Sequence, residues 1–241
     1  MTFRLGMLTP SSNTVLEPLT AAMLAETPAI TAHFARLRVV AIDLGDASRA
    51  QFDPAPMVAA ARLLADAEVH SIVWNGTSGA WLGIAQDRAI CAAITAATGI
   101  PATTTTLALL DALALLRVRR LALVTPYLAE VQAAIMSQFA ELGFDCVAEG
   151  HLEDPGNYSF AAHDEARIAA MVRAVVPAGP QAIAIHCTNF RGGRPAAALE
   201  AECGVPVLDS VAISLWGGLR AAGADPGALR RWGRIFEVGR P

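Results

Sequence analysis

Residues 181–193 read QAIAIHCTNFRGG, a short apolar run that ends in a polar, glycine-rich turn. An earlier stretch, residues 71–83, reads SIVWNGTSGAWLG and has the same form. Apolar runs of this kind, alternating with helical patterns, are typical of buried strands in βαβ units. In such sheets the reactive groups lie in the turns after the carboxyl ends of the strands. We therefore expect the functional residues at these two turns.

The two halves of the sequence resemble each other. Residues 4–10 (RLGMLTP) match residues 120–126 (RLALVTP) at an offset of 116, and Gly76-Thr77 matches Cys187-Thr188 at an offset of 111. A third match follows in the same order, since residues 99–101 (GIP) correspond to residues 204–206 (GVP) at an offset of 105. Ordered matches of this kind indicate a duplicated unit.

The duplication predicts the architecture. We expect an α/β fold of two similar parallel-sheet halves, related by a pseudo-two-fold axis, with the active site in the cleft between them. The first half would span residues 1–116 and the second residues 117–213, with residues 214–241 packing back on the first half. The patterns predict strands at 3–9, 30–40, 70–75 and 119–125, and helices beginning near 16 and at 54–67, 87–98 and 107–116.

Composition narrows the class of protein. A hydrophobic fraction of 54% with 17% charged residues suits many small helices packed on buried sheets, and makes a homo-oligomer plausible. No uncharged apolar run approaches the roughly 18 to 20 residues of a membrane span, and the amino terminus does not read as a signal peptide. The net charge of −4, without a basic patch, argues against nucleic acid and membrane partners. We expect a cytoplasmic protein.

Known cofactor and metal motifs are missing from the sequence. It contains neither GxGxxG nor GxxxxGK[ST], which argues against a dinucleotide or a P-loop nucleotide. Its cysteines, at 91, 146, 187 and 203, lack the spacing of metal ligands. We therefore expect neither a cofactor nor a metal in this protein.

The turn at Gly76-Thr77-Ser78 offers two hydroxyls and several backbone N–H groups at the end of a strand. Together they can cradle a carboxylate or an enediolate, and Tyr127, after the matching strand of the second half, can add another hydroxyl. The same residues are also compatible with an ordinary capping turn and a turn aromatic. Both interpretations stay open at this point.

The remaining candidates lie in the turns around Ser11 and Cys187. Ser11 and Asn13 can bind a second carboxylate or can cap the helix that begins near residue 16. Cys187, followed by Thr188 and Asn189, can act as a nucleophile or a proton carrier, or can be a small buried residue.

In these motifs the sequence resembles the aspartate/glutamate racemase superfamily, and within it the branch of arylmalonate decarboxylase and maleate cis-trans isomerase. Superfamily racemases hold two facing cysteines, whereas here Gly76 stands at the first position and only Cys187 is present. By resemblance, Thr77, Ser78 and Tyr127 would form a dioxyanion hole, and Cys187 would protonate one face of the intermediate.

The resemblance leaves the reaction open. A Gly-Thr-Ser turn with a single cysteine favours a decarboxylase of a malonate-type acid, while Asn13 looks like the carboxylate-binding asparagine of the isomerases. A maleate-type isomerase or a racemase using Cys187 is one alternative, and a non-catalytic carboxylate-binding protein is another. The implied ligand is a small carboxylate or dicarboxylate, bound by Ser11, Asn13, Gly76, Thr188 and Asn189, with further contacts expected from residues 39–47 and 157–162.

Overall fold

The strands form two parallel sheets. A computed structural model describes residues 2–45 and 51–239; of the pocket segment predicted at 39–47, Asp46 and Ala47 lie outside the described residues. The first sheet has the order β2-β1-β3-β4 and the second the order β6-β5-β7-β8, so the two repeat one topology. The strands are β1 Phe3–Pro10, β2 Ile30–Leu37, β3 Ser71–Trp74, β4 Ala102–Thr104, β5 Arg120–Val124, β6 Asp145–Gly150, β7 Ala182–Ile185 and β8 Val207–Asp209.

Helices connect the strands and cover the sheets. The α-helices are α1 Leu16–Leu24, α2 Pro54–Ala65, α3 Gly79–Leu82, α4 Ile84–Thr98, α5 Thr105–Leu115, α6 Ala129–Glu141, α7 Glu165–Val175, α8 Gly193–Cys203 and α9 Ser210–Ala221. Short 3₁₀ helices lie at Ser159–Ala162, Val176–Ala178, Pro226–Trp232 and Arg234–Glu237. The predicted α/β class with two parallel-sheet halves is confirmed.

The sequence matches coincide with equivalent elements of the two sheets. Residues 4–10 and 120–126 cover β1 and β5, which occupy the same place in the two strand orders. Gly99 and Gly204 end α4 and α8 with φ angles of 72° and 76°. This left-handed conformation suits glycine, which has no Cβ to clash. The shared Gly-Ile/Val-Pro therefore turns the chain from a helix into β4 or β8.

The predicted bounds differ from the structure at several ends. The strand predicted to reach Val40 ends at Leu37, because Leu37 pairs with Pro10, the last residue of β1. The helix predicted from Asp87 begins at Ile84, directly after Gly83, whose φ of 104° separates it from α3. The helix predicted from Leu107 begins at Thr105, because the Thr104 side chain accepts a hydrogen bond from the Leu107 N–H and caps it.

Helix α9 packs against the first sheet. Ser71 Oγ donates a hydrogen bond to the Gly218 carbonyl (2.8 Å), and Ser214 and Thr105 share a hydrogen bond of 2.6 Å between their hydroxyls. Trp216 is fully buried. These contacts support the predicted division into residues 1–116 and 117–213 with a returning tail, which stays a proposal. No helix within the described ranges is long and apolar enough to span a membrane.

Candidate active site

A small cavity lies where the carboxyl ends of the two sheets face each other. It holds about 290 Å³ of empty space when the solvent at its mouth is included, and it is lined by the turns after β1, β3, β5 and β7. An open depression of about 740 Å³ beside Asp164 and Arg191 is larger but offers neither a thiol nor a hydroxyl. Of the sequence-predicted site residues, the cavity brings together Gly76, Thr77, Ser78, Tyr127, Cys187 and Thr188.

Two hydroxyls from different halves meet in this cavity. Thr77 Oγ1 and the Tyr127 hydroxyl lie 2.7 Å apart. Burial raises the pKa of Tyr127 well above its usual value, and Cys187 acts in the same direction. The Tyr127 ring is held edge-on between Trp81 and Phe160, with 5.4 Å between ring centroids in both contacts. The hydroxyl is therefore a fixed, neutral hydrogen-bond donor.

Ser78 adds a third hydroxyl on the first-half side. It precedes α3 but makes no side-chain capping hydrogen bond to that helix. An N-cap serine usually accepts a hydrogen bond from the first turn, and this one is not committed in that way. Its hydroxyl is available to a ligand in the cavity.

The Cys187 thiol is buried and neutral. Burial raises its pKa to about 12, and the carboxylates of Asp209 and Asp154 act in the same direction. Hydrogen bonds from the Tyr127 hydroxyl and the Asn189 backbone N–H oppose the shift without reversing it. Only a thiolate is a strong nucleophile, and burial disfavours that form of Cys187.

Gly76 lies on the other wall of the cavity from Cys187, since the two follow β3 of the first sheet and β7 of the second. A Cβ atom at position 76 would overlap the indole of Trp74. Trp74 therefore fills the space that a side chain at position 76 would need. The sequence shows that the first-half thiol is missing, and the structure shows what occupies its place.

The predicted carboxylate binders Ser11, Asn13 and Asn189 are not part of the cavity lining. Asn13 Oδ1 accepts hydrogen bonds from the backbone N–H groups of residues 15 and 16, and its Nδ2 donates to Thr188 Oγ1 (3.1 Å). Thr188 in turn donates to the Asn75 carbonyl (3.0 Å). These side chains tie the ends of the strands together, and only Thr188 borders the cavity.

Asn189 and Ser11 hold neighbouring loops. Asn189 Oδ1 accepts from the Thr14 N–H (2.9 Å), and its Nδ2 donates to the Asn157 carbonyl (2.6 Å). The Val39 N–H donates to Ser11 Oγ at 3.3 Å. In this arrangement both residues position the walls of the cavity.

Sequence reasoning missed part of the wall. Val39, Ile42 and Asn157 fall in segments that were expected to contribute, but Pro10, Phe52, Trp74 and Trp81 were not singled out. For Trp74 a signal existed, because residues two apart along an extended chain point to the same side, so Trp74 and Gly76 share a face. Phe52 follows no motif.

A loop from the second half closes the cavity. Asp154 accepts hydrogen bonds from Ser159 Oγ (2.5 Å), the Gly156 N–H (2.9 Å) and His163 Nε2 (2.8 Å). Gly156 also forms an antiparallel bridge with Ala41 of the first half. The loops over the cavity are thus joined across the two halves.

Two buried carboxyl groups lie behind the reactive turns. Burial raises the pKa of Asp87 and of Asp209 to about 7. A Cβ at Gly79 would overlap the Asp87 carboxyl group, and one at Gly192 would lie 2.9 Å from Asp209 Oδ2. Each carboxyl group thus occupies the space beside a glycine of these turns, a packing with no sequence signal.

The fold and the site define a class, α/β proteins built of two similar parallel-sheet halves, with a small cavity between the sheets that is lined by hydroxyl groups and a thiol. The family model for arylmalonate decarboxylase matches residues 13–236. The chain therefore belongs to the arylmalonate decarboxylase family.

Individual relatives agree with this assignment. A maleate isomerase from Pseudomonas putida is 26% identical over 238 residues, which cover 93% of each chain. The arylmalonate decarboxylase of Bordetella bronchiseptica is 30% identical over 157 residues, 64% of this chain and 65% of that one. The solved structure of a Nocardia farcinica maleate cis-trans isomerase with a covalently bound succinylcysteine intermediate superimposes with a TM-score of 0.89. It is 21% identical and is matched over 99% of this chain and 100% of that one. The predicted superfamily branch and the prediction of an enzyme are confirmed.

Proposed function

We propose that this enzyme decarboxylates a small malonate-type acid, with Cys187 as the proton donor. The observation that carries the proposal is the neutral, buried thiol of Cys187 beside the Thr77–Tyr127 hydroxyl pair in a cavity without a second thiol. The relatives named for decarboxylation and for isomerisation make both reactions candidates. A neutral thiol at Cys187 supports decarboxylation over isomerisation, which needs a thiolate.

In the proposed reaction, one carboxylate of the substrate accepts hydrogen bonds from Thr77, Ser78 and Tyr127. The bond from the α-carbon to the other carboxylate breaks and releases carbon dioxide, and its electron pair forms an enediolate on the bound carboxylate. Fixed donors in a dry site stabilise that charge without reorganising. The enediolate carbon then takes the proton of the Cys187 thiol. The resulting thiolate, a strong base with a pKa of about 12, regains a proton from water.

The cavity also limits the substrate. The interior volume open to a water-sized molecule is only about 20 Å³, well below that of ordinary ligand pockets, so the site admits a substrate only as its walls move apart. Much of the wall is apolar, with Val39, Ile42 and Phe52 among its residues. We propose that this apolar wall holds the substituent of the α-carbon. Thr188 lies beside the ligand, while Ser11, Asn13 and Asn189 keep the walls in place.

The test is turnover without cofactor. Purified enzyme in a chelating buffer is given phenylmalonate and methyl(phenyl)malonate, and carbon dioxide release is followed. We expect Cys187→Ala to lower kcat/KM by about 10² to 10⁴, the usual loss of a general acid. Cys203→Ala, at the end of α8 and away from the cavity, is the matched control. In D₂O the product should carry one deuterium and be a single enantiomer, and a racemic product would refute the one-thiol reaction.

A second candidate is isomerisation of a maleate-type acid, favoured by the match of a maleate isomerase to 93% of this chain. There the Cys187 thiolate would add to the double bond, the new single bond would rotate, and the thiolate would leave. That route needs a species present at about one part in 10⁵ at pH 7, given a pKa of about 12. Its rate should rise about tenfold per pH unit, whereas decarboxylation through the thiol should show no such rise. Conversion of maleate to fumarate with that slope would overturn the decarboxylase proposal.

A further inference from the structure

Trp74, the last residue of β3, has a buried indole N–H to which the proposed reaction assigns no role. Its side chain is fully buried, lines the cavity, and packs at 6.5 Å between centroids against Phe52. Its Nε1–H has no hydrogen-bond partner among the described residues. Buried polar groups are nearly always paired, so an unpaired N–H facing a ligand cavity needs an explanation.

The position of this N–H follows from its neighbour. The atoms that a Cβ at position 76 would overlap are Nε1, Cε2 and Cζ2 of Trp74. The nitrogen edge of the indole therefore lies directly over Gly76, which itself borders the cavity. The N–H belongs to the first-sheet wall, across the cavity from the wall that carries Cys187.

The chemistry of the lining indicates what this N–H binds. An indole nitrogen is a donor only, so its partner must be an acceptor such as a carboxylate oxygen. The side chains that line the cavity are uncharged, and the polar groups on its first-half wall, besides Trp74, are the hydroxyls of Thr77 and Ser78 and the indole N–H of Trp81, which also has no partner among the described residues. Trp74 differs from Trp81 in lying directly against Gly76. A dianionic ligand has more acceptor oxygens than three hydroxyls can satisfy. The indole N–H of Trp74 supplies a further neutral donor, on the wall opposite Cys187.

We propose that Trp74 is a substrate-contacting, specificity-determining residue whose indole N–H donates a hydrogen bond to a carboxylate oxygen of the substrate. The inference rests on the proposed function only in taking the ligand to be a small dicarboxylate. The same indole excludes any side chain at position 76, so one residue both binds the ligand and leaves Cys187 as the one thiol in the cavity.

The test separates binding from turnover by using succinate, a dicarboxylate that neither proposed reaction consumes. In protein with ¹⁵N-labelled tryptophan, the four indole N–H signals are assigned with the four single Trp→Phe variants. We expect the Trp74 signal to shift on titration with succinate. The signal of Trp232, whose Nε1 is also buried and unpaired but lies outside the cavity, should stay in place. No shift at Trp74, or a shift confined to Trp81, overturns the inference.

Affinity gives the second measurement. By calorimetry, Trp74→Phe should weaken succinate binding about tenfold or more, the usual effect of losing a hydrogen bond to a charged group, while Trp232→Phe binds as the wild type does. If Trp74→Phe does not fold, the indole shift decides alone. If the enzyme decarboxylates malonates and Trp74→Phe binds succinate as the wild type does, this inference is wrong and the proposed function is supported. If succinate binding depends on Trp74 but no malonate is turned over, the inference about Trp74 is supported and the proposed function is wrong.

Discussion

Replacing Gly76 by alanine should destabilise the protein through the Trp74 indole. A Cβ at this position would overlap the indole, and the indole is fixed because it is fully buried against Phe52. The backbone at Gly76 is not in the left-handed region, so an alanine there carries no backbone strain. The side-chain overlap is then the main cost of the substitution.

The expected loss is about 1 to 2 kcal/mol. Overpacking a buried site costs about 1 to 3 kcal/mol, and replacing glycine by alanine returns about 0.4 to 1 kcal/mol by restricting the unfolded chain. Urea denaturation measures the difference. Gly150→Ala is the matched control, because its Cβ would meet only Met171 at 3.7 Å, an ordinary contact, and its stability should not fall.

A double-mutant cycle tests the cause. Trp74→Leu alone should cost about 2 to 4 kcal/mol, as a buried cavity forms. In the double variant the alanine methyl group has room, so the two losses should not add, with a coupling of at least about 1 kcal/mol. Additive losses, or a Gly76→Ala protein as stable as the wild type, would refute the assignment of Trp74 to the space above Gly76.

Three other predictions follow from the pKa values and the hydroxyl pair. At pH 8 about one Cys187 in 10⁴ is a thiolate, so native protein should resist iodoacetamide at this residue; fast labelling seen by peptide mass spectrometry would contradict the neutral thiol. Thr77→Val should lower kcat/KM by about 10² to 10³, with recovery in Thr77→Ser, because the hydroxyl paired with Tyr127 is lost. Folding raises the pKa of Asp87 from 3.8 to about 7, so this residue stabilises the fold at low pH and the contribution is lost as the pH rises to 7. Folding lowers the pKa of His186 from 6.5 to about 4, so the contribution of this residue is lost as the pH falls from 6.5 to 4. Between pH 5 and 6.5 the Asp87 contribution lowers the free energy of unfolding by about 1.4 kcal/mol per pH unit, and the His186 contribution acts in the opposite direction. Asp87→Asn should therefore remove that decrease. Denaturation at several pH values measures it, and an unchanged pH dependence of the free energy of unfolding would disprove the prediction.

The architecture was predictable because it depends on local patterns that occur twice. Residues 4–10 and 120–126 are both apolar runs ending in Thr-Pro, and they form equivalent strands. The strand bounds were less predictable, because a strand ends where the neighbouring strand ends. For example, β2 ends at Leu37, which pairs with Pro10, the last residue of β1. That information lies outside the strand's own sequence.

The site was predictable where it follows strand ends and unpredictable where loops supply it. Thr77, Tyr127 and Cys187 were found because they occupy matching turns, and their catalytic roles stay predictions. Asn13 could not be assigned from the sequence, because a polar residue in a turn can bind a ligand or form hydrogen bonds within the protein. Its side chain bonds to Thr188, far away in the sequence, and caps the backbone at the start of α1. Phe52 reaches the cavity only because the chain folds back over the first sheet.

A single cysteine in a glycine-rich turn left two opposite chemistries open, because the sequence does not give the protonation state of a thiol. Burial favours the neutral thiol, since neither the Tyr127 hydroxyl nor the Asn189 N–H outweighs the desolvation of Cys187, and this supports the proposed decarboxylation. The indole of Trp74 argues against a two-thiol racemase, because a second cysteine at position 76 would overlap it. In the proposed decarboxylation, one acid on one wall would protonate one face of the intermediate. The stereochemistry of the product would then depend on the packing of Trp74 as much as on the thiol itself.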